Sequence, residues 1–156
     1  MKKMLNLKTI TKDNWIHAIS LRVREDQVNF VASNAVSLAQ LNFLDNFHAK
    51  GIYYGEEMVG FALYGIDEDD HEYWIYRMMI DAKHQGKGYG KEAVKLVIED
   101  IKNLKEDRHQ TITLSYEPGN IHAKRLYEKI GFKEVDGLII EGEQVSRFTF
   151  PHNIVD

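Results

Sequence analysis

The apolar positions of this chain change period from segment to segment, and each period predicts an element. Residues 4–10 alternate and predict a first strand, with Thr11 and Asp13 as candidates to cap the next element. Over 14–23, Trp15, Ile16, Ile19 and Val23 recur at helical spacing; over 34–48, Leu38, Leu41 and Leu44 share one side of a second helix. Two β-rich runs, 52–55 and 58–66, flank Glu56 and Glu57 and predict a hairpin; an acidic turn then leads into a strong strand over 73–80. The clearest helix covers 87–105, where Val94, Val97, Ile98, Ile101 and Leu104 fall three and four apart. A strand over 111–116, a helix over 121–130 ended by Gly131, and a hairpin from 132–140 and 145–150 complete the series. The order β, α, α, β, β, β, α, β, α, β, β predicts an α/β (α+β) fold: a single mixed, twisted sheet with helices on both faces.

Composition narrows the classes. The 156 residues carry no Pro/Ser-rich linker or repeat and only two prolines, Pro118 and Pro151, so one domain over 1–156 is expected. With 44% hydrophobic and 28% charged residues the chain has the makeup of an ordinary globular protein. No apolar run reaches the roughly 18–20 residues of a membrane span, and the N-terminal stretch lacks the apolar core of a secretory signal. No membrane association is expected, and cytoplasm is the expected address. Zero cysteines exclude disulfides, thiolate metal sites and a cysteine nucleophile. No repeated His/carboxylate spacing predicts a metal. A net charge of −4 argues against a nucleic-acid partner, whose mark is a basic face. A homodimer or higher homo-oligomer stays open.

Gln85-Gly86-Lys87-Gly88-Tyr89-Gly90 lies between a predicted strand and the longest predicted helix. Such a junction gathers unpaired backbone N–H groups at the positive end of a helix dipole, and glycines let a phosphate approach closely. The chemical reading is diphosphate binding; the plain reading is a turn that reverses the chain. It is not a Walker loop, since nothing matches G-x-x-x-x-G-K-S/T. Nor is it a dinucleotide fingerprint: Gly86 and Gly88 supply the first half of G-x-G-x-x-G, but position 91 is Lys.

What the segment does match is Q/R-x-x-G-x-G/A, through Gln85, Gly88 and Gly90, and here the chain resembles the GNAT superfamily of acetyl-CoA-dependent N-acetyltransferases. The resemblance extends to element order and to residues 120–132, where Asn120, Ala123, Tyr127, Gly131 and Phe132 follow N-x-x-A-x-x-x-Y-x-x-x-G-F. More narrowly it is similar to bacterial spermine/spermidine (diamine) acetyltransferases, through residues 73–81 and through Gln27, Phe30, Val31, Ala32, Ser33 and Asn34. The resemblance implies acetyl-CoA as cosubstrate, a small-molecule amine as partner, and direct attack of the amine on the thioester in a ternary complex. It implies diphosphate contacts from Gln85, Gly86, Lys87, Gly88, Tyr89, Gly90 and Lys91, and a pantetheine arm along Met78, Met79 and Ile80. Asn120, Ala123 and Lys129 would line the cosubstrate site, and Tyr127 matches the tyrosine that protonates the leaving thiolate.

The base and the acceptor stay open. The strand glutamate of some polyamine acetyltransferases is replaced here by Tyr76, while Glu72 lies four residues earlier on the same face by alternation. Glu25 and Asp26 are candidates for a cationic acceptor; the acidic stretch over 67–72 is another, but it reads first as a solvated turn. His84 and His122 read as surface residues. A polyamine is the expected acceptor. The alternatives are a protein N-terminus, an aminoglycoside or an amino-acid-like amine, and a non-catalytic CoA-binding module.

Overall fold

A computed structural model describes residues 4–30 and 32–151; Val31 lies outside the described residues. Among the described residues seven strands form one sheet in the order β1-β2-β3-β4-β5-β7-β6, with four α-helices on its two faces. The elements are β1 (Leu5–Thr9), α1 (Trp15–Ser20), α2 (Asn34–Leu41), β2 (Phe47–Tyr54), β3 (Glu57–Ile66), β4 (Tyr73–Ile80), α3 (Tyr89–Leu104), β5 (Thr111–Tyr116), α4 (Ile121–Ile130), β6 (Lys133–Ile140) and β7 (Glu143–Thr149). All neighbours are antiparallel except β4 and β5, so the sheet is mixed, as predicted. No helix among the described residues is long and apolar enough to cross a membrane.

Two cores fill the two faces. One packs α3 and α4, through Val94, Val97, Ile101 and Tyr127, against Tyr64, Ile75, Ile112 and Leu114 of the sheet. The other packs Ala18 of α1 and Leu38 and Leu41 of α2 against Tyr53, Phe61, Leu63 and Met79.

The departures from expectation have local causes. The first helix ends at Ser20 rather than 23, because the Asp81 carboxylate takes the Arg22 N–H at 2.8 Å and pulls the chain away. Trp15 and Ile16 are exposed, and Ala18 is the buried anchor. The second helix stops at Leu41, where the Asn42 side chain donates to Ala39 O, and Asn46 turns the chain at φ 59°. Residues 47 and 48 then join β2, opposite Gly65 and Tyr64. Leu44 still packs on the core, so apolar spacing continued past the end of the helix. The first hairpin turns through Gly55 and Glu56.

The site depends on one defect in the sheet. Leu63 pairs with Arg77 and Tyr64 with Ile75, so Tyr76 is an extra residue in β4, a β-bulge. β4 meets β5 through Tyr73 opposite Ile112 and Trp74 opposite Thr113, and beyond that point the strands part. The bulge also resets alternation. Tyr76 belongs to the α1/α2 side, and Arg77, paired with Leu63, comes to the same side.

Candidate functional site

The gap between β4 and β5 opens into a cavity of about 400 Å³. β4, β5, the start of α4 and the connection between α1 and α2 form its walls. Of the expected cosubstrate residues, Met78, Met79, Ile80, Gln85, Gly90, Asn120 and Ala123 line it, and so does Tyr127.

The glycine loop is shaped by its backbone. Gly86 and Gly88 have φ of +83° and +81°, a region side chains avoid, and a Cβ at either would project into open space. Gln85 ties the loop down: its Nε2 donates to Ile80 O and to Gln27 Oε1, both at 2.9 Å. At the N-terminus of α3, Gly88 offers no side chain to the first N–H groups, whereas Ser33 caps α2 and Asn120 caps α4. α3 therefore begins with free donors beside two glycines and the cavity. Lys87 and Lys91 are exposed around this loop, and Tyr89 stacks on Tyr54 at 5.5 Å.

Asn120 accepts the Ala123 N–H through Oδ1, so it builds the helix start as well as lining the cavity. Lys129 is exposed and does not line the cavity. Ala123, Leu126, Tyr127 and Ile130 take the inward face of α4 and leave position 129 to solvent.

Tyr127 stacks on Tyr116 (6.1 Å between ring centroids) and meets Phe132 edge-on at 5.5 Å. No protein hydrogen bond claims its hydroxyl among the described residues. Burial, then the neighbouring Tyr116 phenol, push it well above the ordinary phenol range, so it carries its proton at neutral pH. Burial pushes Tyr116 up to about 12.

The acceptor-side expectations fare differently. Tyr76 lines the cavity, but its hydroxyl donates to Asp67 and its ring packs on Phe47 at 4.5 Å. Burial and that hydrogen bond raise its pKa, so it is no base. Glu72 does not line the cavity. It precedes Tyr73, where β4 and β5 are still paired, and the gap opens only beyond them. Asp67 and Asp70 serve the turn, accepting from the Asp69 and Glu72 N–H groups, while Asp70 also accepts Trp74 Nε1–H at 2.7 Å. Glu25 and Asp26 sit exposed in a 3-10 turn outside the cavity, Asp26 beside Arg24 at 3.5 Å. His84 is buried rather than superficial, with Nε2 3.1 Å from Glu57 Oε1; His122 is exposed at the cavity rim.

Three charged lining residues escaped the sequence reading: Arg77, Glu117 and Glu143. One signal was visible, since Arg77 is the lone charge in the apolar run Tyr73–Ile80. Among the described residues no group of three or more His, Asp or Glu side chains could hold a metal.

Comparison with known proteins bears on the family and the fold. The sequence model of the "Acetyltransferase (GNAT) family" matches residues 13–132. A spermine/spermidine N(1)-acetyltransferase of Bacillus subtilis (strain 168) is 35% identical over 147 residues, covering 90% of this chain and 95% of that protein. Among solved structures, AAC(6')-Ib with ribostamycin and coenzyme A superposes with a TM-score of 0.76 at 18% identity, covering 94% of this chain and 93% of that one. The spermidine N-acetyltransferase from Vibrio cholerae with CoA and spermine gives 0.68 at 19%, covering 94% and 95%.

Proposed function

The chain belongs to the GNAT acetyltransferase family and is an acetyl-CoA-dependent N-acetyltransferase, and from that premise we propose that its acceptor is a polyamine, spermidine or spermine, acetylated on a primary amine by direct attack. The observation that carries the acceptor is the 35% identity, over nearly the whole of both chains, to the Bacillus spermine/spermidine enzyme. Acetyl-CoA supplies the activated acetyl thioester. The residues present fit it. The open backbone at Gly86 and Gly88 and the uncapped start of α3 suit a diphosphate, and the unpaired edge of β4 at Met78–Ile80 suits the pantetheine arm.

Two proton problems remain for the side chains. An alkylammonium with pKa near ~10 is neutral in only about one molecule in a thousand at pH 7, so its proton must be taken. Tyr76 cannot take it, because its hydroxyl is committed to Asp67. At the leaving sulfur, Tyr127 is the donor. A free thiol has a pKa of about 8.5, below that of a buried phenol, so complete transfer from Tyr127 is uphill. Its role is therefore to hold a hydrogen bond on the sulfur as negative charge develops there, while the departing thiolate takes, through water, the proton that the attacking nitrogen sheds as the amide forms.

Acetyl-CoA turnover should be measured across polyamines, aminoglycosides and peptides. The highest kcat/KM is expected on spermidine or spermine. A higher value on an aminoglycoside or a peptide would displace the acceptor proposed and leave the family membership intact.

A further inference from the structure

Glu117 and Glu143 occupy an unusual relation. β5 and β7 pair antiparallel up to Tyr116 opposite Gln144, and the next positions outward are Glu117 and Glu143. Glu117 lies just past the end of β5 and Glu143 opens β7, so both stand at the same end of this strand pair. Both line the cavity. Ser115, two residues before Glu117 and so on the same face, donates its hydroxyl to Glu143 Oε1 at 2.7 Å. Neither carboxylate has an ion-pair partner among the described residues.

The facing cation relieves them only at a distance. Arg77, brought to this side by the bulge, feels the charge of Glu143 without pairing with it. It donates Nη1–H to Tyr76 O at 2.7 Å and Nη2–H to Gln40 Oε1 at 3.3 Å, and its Nε is enclosed without a partner. The acceptor side of the cavity thus presents two carboxylates and one guanidinium whose hydrogen bonds go elsewhere. It is short of one positive charge.

A polyamine supplies that charge by its own chemistry. The nitrogen that attacks must be neutral, while the next nitrogen along the chain stays an ammonium and needs a counterion. We propose that Glu117 and Glu143 hold the ammonium that remains charged while another nitrogen of the same molecule is acetylated, so that the enzyme selects acceptors bearing at least two amines. This rests on the polyamine reading above and adds to it the residues that enforce it.

The test uses isosteric variants, Glu117→Gln, Glu143→Gln and the double variant, with Glu143→Asp as the conservative control. Acceptors are spermidine, 1,4-diaminobutane and 1-aminobutane, a monoamine of the same length. The wild-type enzyme should prefer the diamine to the monoamine in kcat/KM by about 10-fold or more. Each Gln variant should raise the diamine and spermidine KM about 10-fold, with kcat within about 3-fold and the acetyl-CoA KM unchanged, since the lost contact is equal in ground and transition states. The double variant should lose the preference, and Glu143→Asp should keep part of it. Retained preference in a double variant with normal acetyl-CoA KM would overturn the assignment, as would a wild-type enzyme indifferent to the second amine. If the wild-type enzyme ignores polyamines but acetylates another amine, the polyamine reading fails separately. The carboxylates then stand if the double variant raises that amine's KM, and fall if it does not.

Discussion

The hydroxyl of Tyr127 is the part of that side chain the packing does not use. Its ring is wedged between Tyr116 and Phe132, while no protein group among the described residues bonds its oxygen. Tyr127→Phe should therefore shift stability by less than about 1 kcal/mol, because no buried partner is orphaned. If the O–H steadies the leaving sulfur, kcat should fall about 10²–10³-fold with acetyl-CoA binding intact; steady-state kinetics beside a thermal melt separate the two effects. A folded variant with near-normal turnover would remove Tyr127 from the mechanism. Its raised pKa adds a sign: the group works protonated, so it imposes no fall in kcat below about pH 10. Residues of this kind were legible because a spaced motif marks them. Glu117 and Glu143 were not, because one lies just past β5 and the other opens β7, and only the pairing of those strands brings both to one cavity.

Among the elements, α3 and its loop came through most clearly, since a strand, a glycine turn and a long amphipathic stripe are all local signals. What the sequence could not reveal was that Gly88 and Gly90 do different jobs. Gly88 has positive φ, so any side chain there strains the turn, and a loss of binding would report the strain as much as the ligand. Gly90 is helical and lines the cavity, and a Cβ there would meet Leu126 at an ordinary 3.6 Å. Gly90→Ala should leave the fold as stable or about 0.5–1 kcal/mol more so, and weaken acetyl-CoA binding about 10-fold. A thermal melt and a direct titration with CoA check both halves; unchanged affinity would argue against close backbone approach. α2 was misjudged for the opposite reason. The pairing of residues 47 and 48 with β3 is a long-range contact, and it overrode a helical apolar spacing that runs on to Leu44.

Over the whole molecule, phenols on both faces are held neutral. Tyr64, bonded to Asp100, Tyr76, bonded to Asp67, Tyr116 and Tyr127 all have raised pKa values, with burial the first cause in each. In the unfolded chain these groups ionise near pH ~10, whereas in the folded protein they do so only above it. The unfolded state then binds fewer protons, so stability is full below about pH 10 and falls as pH rises beyond it. The melting temperature should stay level to about pH 9.5 and then drop. Tyrosinate absorbance should rise in two stages, the second coinciding with unfolding; four phenols titrating freely in the folded protein would contradict the packing described.

The parting of β4 from β5 has a mechanical side. The core beneath α3 and α4 runs across both strands, joining Tyr73, Ile75 and Ile80 to Ile112, Leu114 and Tyr116. The core beneath α1 and α2 draws its sheet residues from β2, β3 and β4 and stops short of β5. The sheet is thus bound like a book, with its spine along α3 and α4 and its page edges free toward α1 and α2. Bending along such a spine changes the width of the free margin and hardly alters the bound one. What the open edge admits can therefore be altered, by mutation or by motion, without loosening the grip at the spine.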